Sequence, residues 1–239
     1  MSDQTATVAG DLAPAGVLRA AINLGNPVLA QGTADAPAGV TVDIAHEIGA
    51  RLGLPVELRC FDAARDSLAA ITTGQADICF LGIEPARAGE VAFTAPYVLI
   101  EGVYAVAAQS PLTAVADVDW PGVRVGVKRG SAYDLFLTRT LTRAAVVRGV
   151  EGTTVFLERN LEAAAGVREP MTEFVRSHPG LRLIEGRFME IRQAVGTAAS
   201  KRPETTSFLH GLVEELKSTG FVAYSLRRSG QTAPVAPPA

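Results

Sequence analysis

Apolar residues recur along the chain in two alternating forms, compact runs and helical stripes, and the order of these forms predicts an α/β protein. Val17 to Ile22 reads as a first strand, with Asn23 to Pro27 as the loop leaving its carboxyl end. Val42, Ile44, Ala45, Ile48 and Leu52 then fall on one helical stripe that Gly53 stops. Val56, Leu58 and Cys60 alternate with Glu57 and Arg59 as a second strand, and a helix from Asp62 carries Ala64, Leu68 and Ile71 on one face up to Gly74. Ile78 to Leu81 is a continuous apolar run of the kind a strand covered on both faces needs, and Gly82 ends it. Strand, helix, strand, helix, strand is the signature of a parallel sheet with right-handed crossovers. Glu84, Pro85 and Arg87 follow at the carboxyl end of the third strand, where open α/β sheets bind ligands. Taken alone, a Glu–Arg pair reads better as an ordinary solvated turn.

After Tyr97 the pattern restarts. Val103 to Ala107 and Val123 to Val127 read as strands, the latter ending in Lys128, Arg129 and Gly130 with a helix opening at Ser131. Val155 to Leu157, a helical Met171 to Ser177 and Leu181 to Ile184 continue a second α/β lobe, and Ile191 to Gly196 brings the chain back. A last helix, Pro203 to Thr219, aligns Leu209, Leu212, Val213 and Leu216 and ends at Gly220.

Composition narrows the function classes. The 239 residues suffice for one large or two small domains, and no apolar run is long enough to span a bilayer, so membrane insertion is not expected. Net charge is −3 and the basic residues are interspersed with acids, which speaks against nucleic acid as a partner. His46, His178 and His210 are far apart and no His/Cys cluster has zinc spacing, so neither a metal nor a cofactor is expected. At the N-terminus Asp3 and Asp11 precede the first basic residue, Arg19, which is not the pattern of an export signal. The expectation is a cytoplasmic protein as encoded, or a periplasmic one whose leader was replaced by an engineered methionine.

Five blocks carry a resemblance: Gly39 to Gly53 (GVTVDIAHEIGARLG), Gly74 to Asp77 (GQAD), Glu84 to Arg87 (EPAR), Phe93 to Tyr97 (FTAPY) and Val125 to Ser131 (VGVKRGS). In this order they resemble the family 3 bacterial solute-binding proteins, the polar amino acid receptors of ABC importers, over about Val17 to Gly230. The resemblance implies the periplasmic binding protein-like II fold: two Rossmann-like lobes with a ligand cleft between them, joined by two crossing segments at Tyr104 to Ala108 and Gln193 to Thr197. Residues 17–104 and 198–230 would form lobe 1 and residues 107–192 lobe 2. Residues 1–16 and 231–239 would be flexible termini. The family's sheet order would also set the first strand between those of Cys60 and Cys79. At roughly 4.8 Å per strand that separation is too wide for a disulfide, so two buried free thiols are expected.

The resemblance further implies how a ligand is held. Arg87 matches the family's Arg that grips an α-carboxylate, a task suited to a planar guanidinium. Gly130, Ser131 and Ala132 match the loop whose backbone N–H groups meet the ligand at a helix N-terminus, with Tyr133 either packed above it or in the core. Two departures stand out. Leu81, Gly82, Ile83 and Glu84 replace a longer hydroxyl-bearing segment, and Arg168 lies near where the family carries an acid for the amino group, which favours a more anionic ligand. Glu84 or Glu169 remains available for an amino group, and Gln193 serves either as a hydrogen-bonding contact or as hinge packing. With Asn26 of the first loop, the expected ligand contacts are Asn26, Leu81, Gly82, Glu84, Arg87, Gly130, Ser131, Ala132, Tyr133, Arg168 and Gln193.

The function implied is capture of a small carboxylate or amino acid by lobe closure, as a monomer, for an ABC transporter's membrane component or for sensing. Two alternatives stay open. One is a dehydratase-like enzyme recruiting Glu84, Glu169 and Lys128; the other is an intracellular ligand sensor that docks on a partner protein.

Overall fold

The computed structural model describes residues 3–239, and within it the chain divides into two compact units. Unit 1 comprises Met1–Leu99 and Arg192–Ala239; unit 2 comprises Ile100–Ile191. The first pass through unit 1 gives α1 (Asp3–Leu12), β1 (Leu18–Asn23), a hairpin of β2 (Gln31–Thr33) and β3 (Ala36–Ala38), α2 (Val40–Leu52), β4 (Val56–Phe61), α3 (Ala64–Thr72) and β5 (Ile78–Gly82). β6 (Val91–Ala107) then leads into unit 2, which contains β7 (Arg124–Lys128), α4 (Ala132–Thr140), β8 (Ala145–Gly149), α5 (Gly152–Glu158), β9 (Ala163–Val167), α6 (Arg168–Ser177) and β10 (Leu181–Leu183). The chain returns through β11 (Met189–Ala198) to α7 (Pro203–Ser218) and α8 (Phe221–Arg228).

Unit 1 has the strand order β4-β1-β5-β11, with β1 parallel to both β4 and β5, and β11 antiparallel to β5. The chain steps outward from β1 to β4 and back across to β5, so right-handed crossovers put α2 and α3 on opposite faces. Alternation along the strands then divides the core. Ala21, Cys79 and Leu81 pack with Ala70, Ile71 and Ala76 beneath α3. Ala20, Ile22, Ile78 and Phe80 are equally buried and point the other way.

Unit 2 repeats the plan. Its order is β6-β9-β7-β8, with β7 parallel to β8 and β9, and β6 antiparallel to β9. Val103, Ala105, Val155, Phe156, Leu161, Ala164 and Met171 form its main apolar cluster. Packing is close enough that a Cβ on Gly126 of β7 would lie 2.6 Å from the Gly152 carbonyl oxygen at the start of α5, which explains the glycine in that strand.

Each unit contains its own copy of an Arg–carboxylate clamp. In unit 1 the Arg19 backbone N–H and Nε donate to Asp77 Oδ2 at 2.8 and 3.0 Å, and Nη2 donates to Oδ1 at 2.6 Å. In unit 2 the Arg124 N–H and Nε donate to Glu162 Oε2 at 2.8 and 2.9 Å, and Nη2 donates to Oε1 at 2.9 Å. Each acid precedes the third strand of its unit and ties it to the start of the first. The Asp of the GQAD block is therefore a structural tie.

Several expectations are corrected. Val155 to Leu157 lies in α5, while β8 and β9 are strands the pattern does not announce. FTAPY lies within β6, and α8 follows the last expected helix. The chain leaves unit 1 after Leu99, five residues before Tyr104, and returns at Arg192. The termini are not loose either. Val8, Ala9 and Leu12 of α1 are buried, and Asp11 Oδ2 accepts from Thr205 Oγ1 at 2.6 Å on α7. The C-terminal segment bridges Val98 through Val235 and buries Ala233 and Ala236. Met1 and Ser2, part of the expected flexible terminus, lie outside the described residues.

Cys60 and Cys79 are free thiols on β4 and β5, with β1 between them. Cys79 is fully buried and its pKa is pushed up to about 12 by desolvation, whereas Cys60 is only half-buried, contrary to expectation. A thiol reagent at pH 8 should therefore label Cys60 in the native protein and reach Cys79 only in denaturant. Rapid labelling of both thiols without denaturant would show that β5 opens readily.

Candidate functional site

In both units the strand order reverses at the first parallel strand, between β1 and β5 in unit 1 and between β7 and β9 in unit 2. Carboxyl ends of strands flanking such a switch are where α/β sheets hold ligands. The expected contacts gather there within each unit.

In unit 1, Asn26 lies in the loop after β1, where its Oδ1 accepts from the Val28 N–H at 3.3 Å and its carbonyl from the Leu29 N–H at 3.0 Å. Gly82 closes β5 in register with Gln193 of β11, which is buried. The next turn is exposed at Ile83, Pro85 and Ala86, yet Glu84 and Arg87 are only 3% and 1% exposed. The Arg87 N–H donates to the Glu84 carbonyl at 2.9 Å, and Arg87 Nη1 donates to the Gly82 carbonyl at 2.8 Å. Desolvation lowers the Arg87 pKa, opposed by the charge of Glu84. Leu81 belongs instead to the cluster beneath α3, so its side chain serves the core.

In unit 2, Ser131 caps α4, its Oγ accepting from the Asp134 N–H at 3.0 Å. Asp134 in turn accepts the Gly130 N–H at 2.8 Å and pairs with Arg148 at 2.9 Å, while the Ser131 N–H donates to the Lys128 carbonyl at 3.2 Å. Two of the three N–H groups expected to face an anion are thus donated internally, with the helix's own Asp134 as one acceptor. Gly130 has φ +72°, a conformation that a side chain would strain. Ala132 is buried beside them at the start of α4. Tyr133 is almost buried with its hydroxyl on the Ser131 side chain, and desolvation raises its pKa, which is the core alternative. Lys128 Nζ is bound to Glu151 at 2.5 Å.

Arg168 begins α6 at the end of β9. The antiparallel pairing of Gly102 with Val167 brings Glu101 opposite it. Arg168 Nε donates to Glu101, Nη2 donates to the Gly186 carbonyl at 2.7 Å, and Arg187 reaches the same carboxylate at 2.8 Å. The expected extra cation is therefore matched by an acid within its own unit, and the argument for a more anionic ligand falls. Next to it, Glu169 Oε2 is buried with no hydrogen-bond partner among the described residues.

Residues 18–227 match the profile of the bacterial extracellular solute-binding proteins, family 3. The chain belongs to that family. Solved structures agree in fold: a mutant of ArgBP from T. maritima superposes with a TM-score of 0.75 at 21% identity, covering 93% of this chain and 99% of that one. The amino acid ABC transporter substrate-binding protein AbpA from Streptococcus pneumoniae Canada MDR_19A, bound to L-arginine, gives 0.75 at 19% identity, covering 91% and 96%. The ancestral amino acid-binding protein AncCDT-1, a precursor of cyclohexadienyl dehydratase, gives 0.74 at 16%, covering 93% and 98%. No curated protein matches the chain. The fold is the periplasmic binding protein-like II fold.

Sequence reading missed three residues of this solute-binding protein that set the charge of its site: Glu101, Asp134 and Glu151. Ser131 and Asp134 stand three apart at a helix start, a capping pattern that carried the signal for one of them. Glu101 and Glu151 had none, because both meet their partners across strands or loops.

Proposed function

We propose that this chain is a binding protein for an amino acid or related small carboxylate, delivered to an ABC-type transporter. Family membership supports the solute-binding role, and structures of similar fold hold L-arginine. The observation that carries the carboxylate is Arg87, a guanidinium turned inward from an exposed turn at the carboxyl end of β5, anchored by one nitrogen on the Gly82 carbonyl. A planar guanidinium held in one orientation at a strand end is suited to a planar anion.

Thermal-shift screening against L-amino acids, keto acids and dicarboxylates tests the reading. Ligand at a hundred times its dissociation constant adds about 2.7 kcal/mol of stability, which for a chain of this size raises Tm by roughly 5–10 °C. No shift with any carboxylate-bearing compound would overturn it. Turnover of a bound hydroxylated acid in the same samples would support a dehydratase instead, for which Glu169 is the available carboxyl group. Co-purification with a membrane permease in the presence of ligand tests the transport role, and capture only by an intracellular regulator would favour sensing.

A further inference from the structure

β8 closes the strand order of unit 2, and among the described residues no strand pairs with its outer edge. An open edge is a template for another strand unless proline, unpaired charge or a covering element blocks it. Ala145, Val146, Val147, Arg148 and Gly149 supply no proline, and their one charge, on Arg148, is paired with Asp134 at 2.9 Å. The Ala145 N–H donates to the Val123 carbonyl at 2.8 Å, and the Arg129 N–H donates to the Gly149 carbonyl at 3.0 Å. Odd-numbered residues thus turn their backbone groups towards β7, and Val146 and Arg148 turn theirs outwards. Two exposed apolar side chains flank this edge. Val150, 80% exposed, follows its end; Trp120, 58% exposed, is stacked at 4.3 Å by Arg143, just before its start. No exposed large apolar residue adjoins β4, the open edge of unit 1, in sequence.

A second copy of the same edge fits all of these features. We propose that β8 pairs antiparallel with β8 of a second copy about a two-fold axis at Val147, an isologous dimer where the sequence suggested a monomer. This axis sets Val146 opposite Arg148 of the second copy, so that outward N–H and C=O groups of both are exchanged. Ala144 comes opposite Val150, which brings Val150 to the end of the ladder where Trp120 lies. Arg143 then faces Glu151 of the second copy at both ends, an acid already held by Lys128 at 2.5 Å on its own chain. Neighbouring registers lose this match. An axis at Arg148 would set two arginines directly against each other, and one at Val146 would leave Arg143 opposite Gly149. The ladder is short, so association belongs to the weak class of small interfaces.

Sedimentation velocity of the full chain over a concentration series tests this, with the fold of each variant checked by circular dichroism. Wild type should pass from one chain to two as concentration rises. Val146→Pro removes an outward donor that β7 does not use, a change edge strands tolerate, and should weaken association roughly tenfold or more. Arg143→Glu and Glu151→Lys each place like charges together at both ends of the ladder and should each weaken it by roughly tenfold. An equimolar mixture of those two variants should associate again, because opposite charges then meet at both ends. Wild type that stays a single chain throughout overturns the proposal, as does undiminished association in Val146→Pro or in either charge variant. A mixture that stays unassociated while wild type pairs refutes the register. If Val146→Pro fails to fold, the charge variants and their mixture decide alone.

Discussion

Arg87→Ala should lose ligand binding and a large part of its stability at once. A charge-assisted hydrogen bond contributes about 1.5–3 kcal/mol, so affinity for a carboxylate ligand should fall roughly tenfold to more than a hundredfold. The structure adds the second effect. Arg87 is 1% exposed and Glu84 3% exposed, so truncating the Arg removes a positive charge that acts on a buried carboxylate of the same turn. Breaking a buried pair from one side typically costs about 3–5 kcal/mol. The Arg87→Ala, Glu84→Gln double variant should recover part of that loss in urea unfolding, because the stranded charge is gone, and none of the binding. Unchanged ligand affinity in the single variant would remove Arg87 from the site; additive stability losses in the double variant would show that the two side chains do not balance each other.

Truncation after Gln231 is expected to cost about 2–3 kcal/mol, contrary to what a proline-rich tail reads as. The tail runs along the end of unit 1's part of β6. The Leu99 N–H donates to the Pro234 carbonyl at 3.0 Å and the Ala236 N–H to the Tyr97 carbonyl at 3.1 Å. The buried Lys217 Nζ donates to the Pro237 carbonyl at 2.9 Å, and also holds Glu214 at 2.5 Å and the Pro96 carbonyl at 3.2 Å. Three hydrogen bonds at about 1 kcal/mol each, one from an ammonium, set the estimate. Tm should fall by roughly 5–10 °C, measured by circular dichroism on the full-length and truncated chains. An unaltered Tm would mean the tail contributes nothing to unit 1.

The two effects are separable. The tail's hydrogen bonds run to β6 and α7, so a truncated protein should keep wild-type ligand affinity. A changed affinity would tie the tail to the ligand site.

The parts of the fold that the sequence announces are those whose signal is local. β1, α2, β4, α3 and β5 follow from period and punctuation, since each buries a continuous apolar face and ends at a glycine or a polar turn. The strand β9 shows why the rest was silent. Its Ala163, Ala164, Ala165 and Gly166 lack the branched side chains that mark strands, and they are small because neighbours come close: a Cβ on Gly166 would lie 2.6 Å from Met171 Sδ. That requirement comes from the opposing helix and is invisible along the chain. Terminal segments failed in the same way, being read from polarity and proline content while their order comes from α7 and β6.

The sequence by itself determined which residues stand at the carboxyl ends of β1, β5 and β7, because strand ends and turns are written in consecutive residues. It also determined the family, through five ordered blocks. Only the tertiary structure decided the charge of those positions. Arg168 reads as a free cation until the β6–β9 register brings Glu101 against it, and Glu84 with Arg87 reads as a solvated turn until both are found buried. The physical reason is that a charge's effect depends on its partners and its exposure to water, and both are set by residues distant in sequence.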